Sequence, residues 1–223
     1  MNLIFDVDGT IWDSTKVVAE SWNRAMKSIG FKEYEDRNYE ITAEMLKKEF
    51  GKPMDVIADN LFPELNEEQR EKVLDACCRF EHEDLEATTE DLAYAGVVET
   101  IKKLSEGNKL FIVSNCQSGY IELVMRKLGI EDCIMDIECY GNTLKYKAEN
   151  LQLLMDRNIC HCEREFFYIG DTLGDFNACI EAGVPFIFAT YGFGTWDEIK
   201  AREKESGVSI YGSIDSFREL DIN

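Results

Sequence analysis

The spacing of hydrophobic residues changes near residue 90 and separates a helical stretch from a region of alternating elements. Residues 3–5 form a short apolar run that predicts a buried strand, and residues 6–10 follow it as a polar turn. From residue 15 to residue 85 the chain is rich in Glu, Lys, Ala and Leu, and apolar residues such as Trp22, Ala25 and Met26 recur at helical spacing. Breaks containing Gly or Pro divide this stretch, which predicts about four helices.

From residue 92 onward, continuous apolar runs alternate with helical patterns. Apolar strands separated by helices are typical of a parallel sheet that is covered on both faces. Helices are predicted near residues 92–106, 119–128 and 147–157, and strands near residues 109–113, 134–137, 166–169 and 185–189. We therefore predict an α/β core domain formed by residues 1–14 and 86–223, with residues 15–85 inserted as a small, all-helical cap domain.

Polar residues directly follow three of the predicted strands. In parallel sheets ligands bind outside the carboxyl ends of the strands, so side chains at those ends are candidates for one shared site. The candidates are Asp6 and Asp8 after the first strand, Ser114 and Asn115 after the second, and Asp171 and Asp175 after the fourth.

The aspartates at these strand ends predict a site for a divalent cation. Asp6 and Asp8 face the same side if the strand period continues, and crowded carboxylates repel unless a cation lies between them or one of them holds a proton. Oxygen ligands of this kind suit Mg²⁺. Gly9 removes side-chain bulk where the backbone approaches a ligand, and Thr10 and Ser114 offer donors to phosphate oxygens, which makes these residues candidates for substrate binding.

Each polar cluster taken alone also has a purely structural interpretation. The segment at residues 6–10 can form a turn closed by an Asx hydrogen bond, and Ser114, Asn115 and Asp171 can cap helices. A calcium-binding EF-hand loop also begins with spaced aspartates and a glycine, but here no Asp or Asn stands at the third ligand position and no helix precedes the motif. The occurrence of all three clusters at strand ends favours a functional site.

Composition narrows the class of protein. The net charge of −20 argues against binding to a nucleic-acid backbone, because phosphate contacts need clustered Lys and Arg. No apolar run reaches the ~18 residues that span a bilayer, so we expect no membrane partner. Eight scattered cysteines and a start without a basic or long apolar leader favour a cytoplasmic protein. Cys160-His161-Cys162 lacks a second pair at zinc-finger spacing, which argues against structural zinc.

Three motifs make the chain similar to a known family. Asp-Val-Asp-Gly-Thr at residues 6–10, the run at residues 111–115 and Gly-Asp-Thr-Leu-Gly-Asp at residues 170–175 resemble those of the haloacid dehalogenase-like hydrolases that carry a helical cap after the first strand. The first and last motifs are highly specific, whereas the second is weak alone. The resemblance covers essentially the whole chain and implies a Rossmann-like parallel core.

The resemblance implies a role for each acidic residue. Asp6 corresponds to the nucleophile that attacks phosphorus, and Asp8 corresponds to a general acid and base that protonates the leaving oxygen and then activates water. The side chains of Asp6 and Asp171 and the backbone carbonyl of Asp8 would bind Mg²⁺. Asp175 would lie next to these direct ligands and would hold the metal or the water molecules bound to it.

The resemblance also implies groups that bind and neutralise the phosphoryl group. Ser114 and the Asn115 amide would bind it. The family places a lysine ahead of a helix after the third strand, usually followed by proline, and this chain departs from that pattern. Lys147, at the predicted helix start, is the preferred catalytic lysine, and Lys145 is the alternative.

The function that the resemblance implies is that of a Mg²⁺-dependent phosphatase acting on a small phosphorylated metabolite through a phospho-aspartyl intermediate on Asp6. Among the capped relatives the chain is similar to phosphoglycolate phosphatases, although no residue identifies glycolate. A pyrophosphatase or nucleotidase and a phosphosugar mutase like β-phosphoglucomutase are the alternatives. Dehalogenase activity is disfavoured, because dehalogenases lack the second aspartate, which Asp8 supplies here. A non-catalytic binding role is disfavoured as well, because such relatives lose an essential carboxylate, whereas this chain retains Asp6, Asp8 and Asp171. We expect a monomer or a small homo-oligomer.

Overall fold

The computed structural model describes residues 1–30, 39–161 and 165–220 of the chain. It forms two compact units: Met1–Asp13 together with Leu92–Asn223, and Ser14–Asp91. Cys162 and the side chain of His161, which belong to the segment considered for zinc, lie outside the described residues.

The first unit is built on a six-stranded parallel sheet with the order β3-β2-β1-β4-β5-β6. The predicted α/β class with a parallel sheet is therefore confirmed. The strands are β1 (Asn2–Phe5), β2 (Lys109–Ser114), β3 (Ile134–Cys139), β4 (Phe166–Gly170), β5 (Phe186–Ala189) and β6 (Gly212–Ile214). The sequence pattern did not indicate β6.

The helices of the described residues alternate with these strands or lie in the second unit. Those of the second unit are α1 (Thr15–Ile29), α2 (Ala43–Glu49), α3 (Met54–Leu61) and α4 (Glu67–Ala87). Those of the first unit are α5 (Val97–Ser105), α6 (Tyr120–Leu128), α7 (Tyr140–Thr143), α8 (Lys147–Asn158), α9 (Leu173–Ala182) and α10 (Trp196–Ser206).

Apolar side chains cover both faces of the sheet, as the continuous apolar strands predict. One face packs against α8, α9 and α10 through a buried cluster that includes Ile4, Phe111, Leu151, Phe176 and Ile199. Helix α5 and the 3₁₀ turn Phe217–Leu220 pack on the other side, where the rings of Phe5 and Phe217 lie 5.4 Å apart. With both faces buried, the open ends of the strands are where a polar site can form.

The strand order places the predicted site residues at one edge of the sheet. β1 lies between β2 and β4, and Phe5, its last residue, is in register with Ile112 on one side and Ile169 on the other. The chain therefore leaves all three strands at the same edge. The connections reverse direction at the β1–β4 boundary, which is the topological switch point where ligands bind in open α/β sheets.

The second unit is helical and is held by packing and buried polar contacts. Helix α1 packs along α4, where the buried Trp22 Nε1 donates to Glu81 Oε2 at 2.7 Å. Ser21 Oγ donates to Asp84 Oδ2 at 2.8 Å. Such bonds offset the desolvation of the two carboxylates. None of the helices in the described ranges has the length and apolar character needed to cross a bilayer.

Candidate active site

Three buried aspartates converge at the switch point. Carboxylate oxygens of Asp6, Asp171 and Asp175 all lie within 4.8 Å of one another. Asp6 directly follows β1, and its backbone N–H donates to the Ile169 carbonyl at 2.9 Å. Asp171 follows β4, and Asp175 lies in the first turn of α9. The structure thus brings together carboxylates that are separated in sequence by 165 residues or more, counted from Asp6.

Lys147 is the cation of this cluster. Its Nζ lies 3.0 Å from Asp6 Oδ1 and 2.5 Å from Asp175 Oδ1, and the side chain is 3 % exposed. Lys145 instead pairs with Glu149 at 3.0 Å on the surface, where it is 45 % exposed. Of the two lysines considered from the sequence, the structure places Lys147 in the acidic cluster, because the side chain of the first residue of α8 points inward.

Burial and nearby carboxylates raise the pKa values of Asp6 and Asp171. Burial raises the pKa of Asp6 to about 6; Lys147 acts in the opposite direction, and Asp175 adds to the increase. Burial raises the pKa of Asp171 well above its usual value, with further increases from Asp175 and Asp6. Burial alone would lower the pKa of Lys147, but Asp175 and Asp6 outweigh it and raise that pKa.

The charge balance of the cluster suits a divalent cation. When all groups are ionised, three carboxylates face the single ammonium of Lys147, which leaves a formal charge of −2 in a buried place. Hard carboxylate oxygens at this separation are ligands that Mg²⁺ accepts, and a bound cation reverses the local repulsion. The donor set of Asp6, Asp171 and Asp175 therefore fits a site for a metal ion.

The backbone around Asp171 is packed too closely for larger residues. Gly9 has φ +84°, and a Cβ atom built on it would collide with the Asp171 carboxylate, as would a Cβ atom on Gly192. Thr10 Oγ1 donates to Asp171 Oδ1 at 3.1 Å, and the Phe193 N–H donates to Oδ2 at 2.7 Å. Thr10 and Gly9 thus orient Asp171 and make room for it, while their contact with substrate stays a prediction.

Asp175 is held by donors from its own helix start. Its Oδ2 accepts from the Thr172 N–H at 2.9 Å, the Thr172 hydroxyl at 2.7 Å and the Asp171 N–H at 3.2 Å. The Tyr168 hydroxyl lies 3.3 Å from Oδ1, the oxygen that pairs with Lys147. This engagement suits a residue that orients Lys147 and the loop after β4.

Ser114 is the last residue of the neighbouring strand β2, and Asn115 follows it at the same edge of the sheet. Both are buried, and Ser114 is in register with Cys139 at the end of β3. Because β2 lies directly beside β1, these residues follow the same edge as Asp6. The structure therefore places all three predicted polar clusters at the carboxyl ends of neighbouring parallel strands, on one edge of the sheet.

Asp8 accepts hydrogen bonds from two aromatic residues that the sequence pattern did not predict as part of the site. The Tyr120 hydroxyl donates to Asp8 Oδ1 at 2.8 Å, and Trp12 Nε1 donates to the same oxygen at 3.0 Å. Their rings meet edge to face, 5.8 Å apart, and both side chains are buried. A sequence signal was lacking because a buried Trp or Tyr is typical of any hydrophobic core.

A family model described as haloacid dehalogenase-like hydrolase matches residues 3–189. The chain belongs to the haloacid dehalogenase-like hydrolase family. The chain is 26 % identical to the phosphoglycolate phosphatase of Vibrio vulnificus (strain CMCP6) over 216 residues, which cover 91 % of this chain and 89 % of that relative. The phosphoglycolate phosphatase of Photobacterium profundum is 27 % identical over 224 residues, covering 95 % of this chain and 93 % of its own.

Solved structures show the same haloacid dehalogenase-like fold. A haloacid dehalogenase-like family protein from Streptococcus pneumoniae has a TM-score of 0.79 at 16 % identity, with 98 % of this chain and 95 % of that chain covered. A hydrolase from Pseudomonas syringae has a TM-score of 0.73 at 17 % identity, with 99 % and 97 % covered.

Proposed function

We propose that this haloacid dehalogenase-like hydrolase is a Mg²⁺-dependent phosphatase that cleaves small phosphate monoesters through a phospho-aspartyl intermediate on Asp6. The main support for this proposal is the buried cluster at the carboxyl ends of the strands. In this cluster Asp6 lies beside Asp171, Asp175 and Lys147. Phosphoryl transfer depends on positioning and charge neutralisation, and this cluster supplies both.

In the first step an oxygen of the Asp6 carboxylate attacks phosphorus in line with the ester oxygen. The phosphorus–ester bond breaks, its electron pair passes to the leaving oxygen, and Asp8 gives a proton to that oxygen so that an alcohol departs. Lys147, held between Asp6 and Asp175, offsets the charge of the nucleophile and of the phosphoryl oxygens. Ser114 and the Asn115 amide bind the phosphoryl oxygens as they move.

In the second step water attacks the phosphorus of the phospho-aspartyl group. Asp8, now a carboxylate, takes a proton from this water, and the bond between phosphorus and the Asp6 oxygen breaks. Inorganic phosphate leaves, and the Asp6 carboxylate and the proton on Asp8 are both restored. The balance is one ester and one water consumed, with one alcohol and one phosphate released.

Mg²⁺ would be held by the side chains of Asp6 and Asp171 and by the Asp8 backbone carbonyl, with Asp175 behind them. When bound, it supplies the positive charge that allows a carboxylate to approach a phosphate dianion. Thr10 and the Phe193 N–H keep the Asp171 carboxylate in place.

Phosphoglycolate is the first substrate to test. Two relatives named phosphoglycolate phosphatase match at least 91 % of this chain, but at 26–27 % identity the substrate pocket can differ. The proposal is therefore a small phosphorylated metabolite, with phosphoglycolate as its leading member.

A panel of phosphorylated metabolites, assayed for released phosphate with and without Mg²⁺, tests the proposal. The panel includes phosphoglycolate, a nucleoside monophosphate, pyrophosphate and glucose 1-phosphate. We expect phosphate release from monoesters that requires Mg²⁺ and is lost in Asp6→Asn. Conversion of glucose 1-phosphate to glucose 6-phosphate without free phosphate would show a mutase instead. Equal turnover by wild type and Asp6→Asn would refute the mechanism.

A further inference from the structure

One carboxylate oxygen of Asp8 accepts hydrogen bonds from two buried aromatic side chains. The Tyr120 hydroxyl and Trp12 Nε1 both donate to Oδ1, at 2.8 and 3.0 Å. Tyr120 is 2 % exposed and Trp12 is 1 % exposed. A polar group buried to this degree is costly to leave without a partner, so each donor favours the orientation of Asp8 that satisfies it.

The two donors belong to separate parts of the α/β unit. Trp12 is four residues from Asp8 and closes the turn after β1, where the Gly9 N–H donates to the Trp12 carbonyl at 2.8 Å. Tyr120 is 112 residues from Asp8 in sequence and is the first residue of α6, the helix that follows the Ser114-Asn115 segment. Tyr120 thus connects the loop that contains Asp8 to the helix that follows residues 111–115.

We propose that Tyr120 and Trp12 are positioning residues that fix the Asp8 carboxylate for proton transfer. Because Oδ1 already accepts two hydrogen bonds, the proton that Asp8 gives to the leaving oxygen and later takes from water resides on Oδ2. Proton transfer needs hydrogen-bond reach of the reacting oxygen, so a carboxylate that rotates freely loses catalytic efficiency. This inference rests on the proposed role of Asp8 as general acid and base.

Leaving groups of different basicity isolate this effect. Phenolate has a conjugate acid with a pKa of about 10 and gains from protonation as it departs. The p-nitrophenolate ion is a much weaker base and leaves without a proton. The kcat/KM of an enzyme with a covalent intermediate includes only the steps up to departure of the leaving group, so phenyl phosphate and p-nitrophenyl phosphate compare the general-acid step directly.

Tyr120→Phe removes the hydroxyl and keeps the ring. We expect kcat/KM for phenyl phosphate to fall about tenfold, as loss of one hydrogen bond to a charged group predicts, and kcat/KM for p-nitrophenyl phosphate to change less than about twofold. Trp12→Phe is the second variant, and it should show the same preference. Tyr39→Phe is the matched control, because it removes a hydroxyl that donates to the Leu61 carbonyl at 3.0 Å in the helical unit.

A double-mutant cycle separates positioning from a general loss of structure. On an Asp8→Asn background, Tyr120→Phe should cause no further loss with phenyl phosphate, because the group it positions is gone. Equal losses for both substrates, or a full additional loss in the double variant, would overturn the positioning role while leaving the proposed function intact. If Asp8→Asn itself affects both substrates equally, the general-acid role of Asp8 falls, and the positioning role with it.

Discussion

Lys147 and Asp175 form a buried ion pair behind the candidate nucleophile, with Nζ of Lys147 2.5 Å from Oδ1 of Asp175. The same ammonium lies 3.0 Å from Asp6 Oδ1. One cation therefore connects the residue proposed to attack phosphorus with the first turn of α9. The side chain has almost no contact with solvent, so its charge acts in a medium of low effective dielectric constant.

Replacing Lys147 by methionine is expected to impair both folding and activity. The variant leaves Asp6 and Asp175 buried without their cation, and breaking a buried pair in this way costs about 3–5 kcal/mol. Loss of one fixed charge at a reacting phosphoryl group should lower kcat by at least about 10²-fold. Urea unfolding and phosphatase assays measure the two effects.

Lys145→Met is the matched control for that variant. Lys145 is two residues away and pairs with Glu149 on the surface, so its loss should change the free energy of unfolding by less than about 0.5 kcal/mol. Comparable effects of the two substitutions would contradict the assignment of Lys147 to the site.

Gly9→Ala should disrupt the proposed metal site beyond the effect of ordinary backbone strain. Gly9 has φ +84°, and its Cβ would meet the Asp171 carboxylate. Gly207→Ala is the control, because Gly207 has φ +72° but no atom within 4 Å of a Cβ placed there. Both variants should lose about 1–2 kcal/mol of unfolding free energy through strain. Only Gly9→Ala should also lose Mg²⁺ affinity in calorimetric titrations, and retention of that affinity would argue against the close approach.

Mg²⁺ should stabilise the wild-type protein against urea. A ligand that binds only the folded state at 100 times its Kd adds about 2.7 kcal/mol to the free energy of unfolding. Asp171→Asn should lose this increment. Without Mg²⁺ the same variant should be at least as stable as wild type, because one of the mutually repelling carboxylates is removed. A variant that is less stable without metal and still responds to Mg²⁺ would contradict the site.

The pair of Arg157 and Asp136 should make a pH-dependent contribution to stability at the β3–α8 boundary. Partial burial raises the pKa of Asp136, but hydrogen bonds from Arg157 and Asn158 outweigh it and lower that pKa below 3.8. Since the folded-state pKa is depressed, the stabilisation is present above the unfolded-state value and is lost as the pH falls through the folded-state value. The difference in unfolding free energy between wild type and Arg157→Gln should therefore shrink from pH 7 to about pH 3. A constant difference would argue against the pair.

Sequence periodicity predicted much of the sheet, because the strands β1, β2, β4 and β5 are continuous apolar runs that are buried on both faces. It missed β6, since only Ile214 of its three residues is buried and the strand depends on pairing with β5. The compact units divide at Asp13/Ser14 and Asp91/Leu92, whereas the sequence placed the divisions after residues 14 and 85. Helix α4 continues to Ala87, and a helical pattern alone does not show where a helix ends. That residues 15–85 act as a cap stays a prediction.

The acidic cluster was predictable because Asp6 and Asp171 directly follow strands and Asp175 lies in the next helical turn. The choice between Lys145 and Lys147 needed coordinates, since both lie near the start of α8 in sequence and the structure shows which side chain is buried beside Asp6. The contact of Tyr120 with Asp8 was not accessible from sequence, because it joins residues 112 positions apart and involves a side chain that also suits a hydrophobic core.

Trapping the phosphoryl group on the protein tests the central claim most directly. The enzyme is mixed with its best monoester and Mg²⁺, quenched in acid within one turnover, reduced with borohydride and mapped by mass spectrometry. We predict that the reduced acyl phosphate lies at Asp6 in wild type, accumulates in Asp8→Asn and is absent in Asp6→Asn. Modification at another residue, or complete turnover with no phosphorylated protein at any time, would contradict the account.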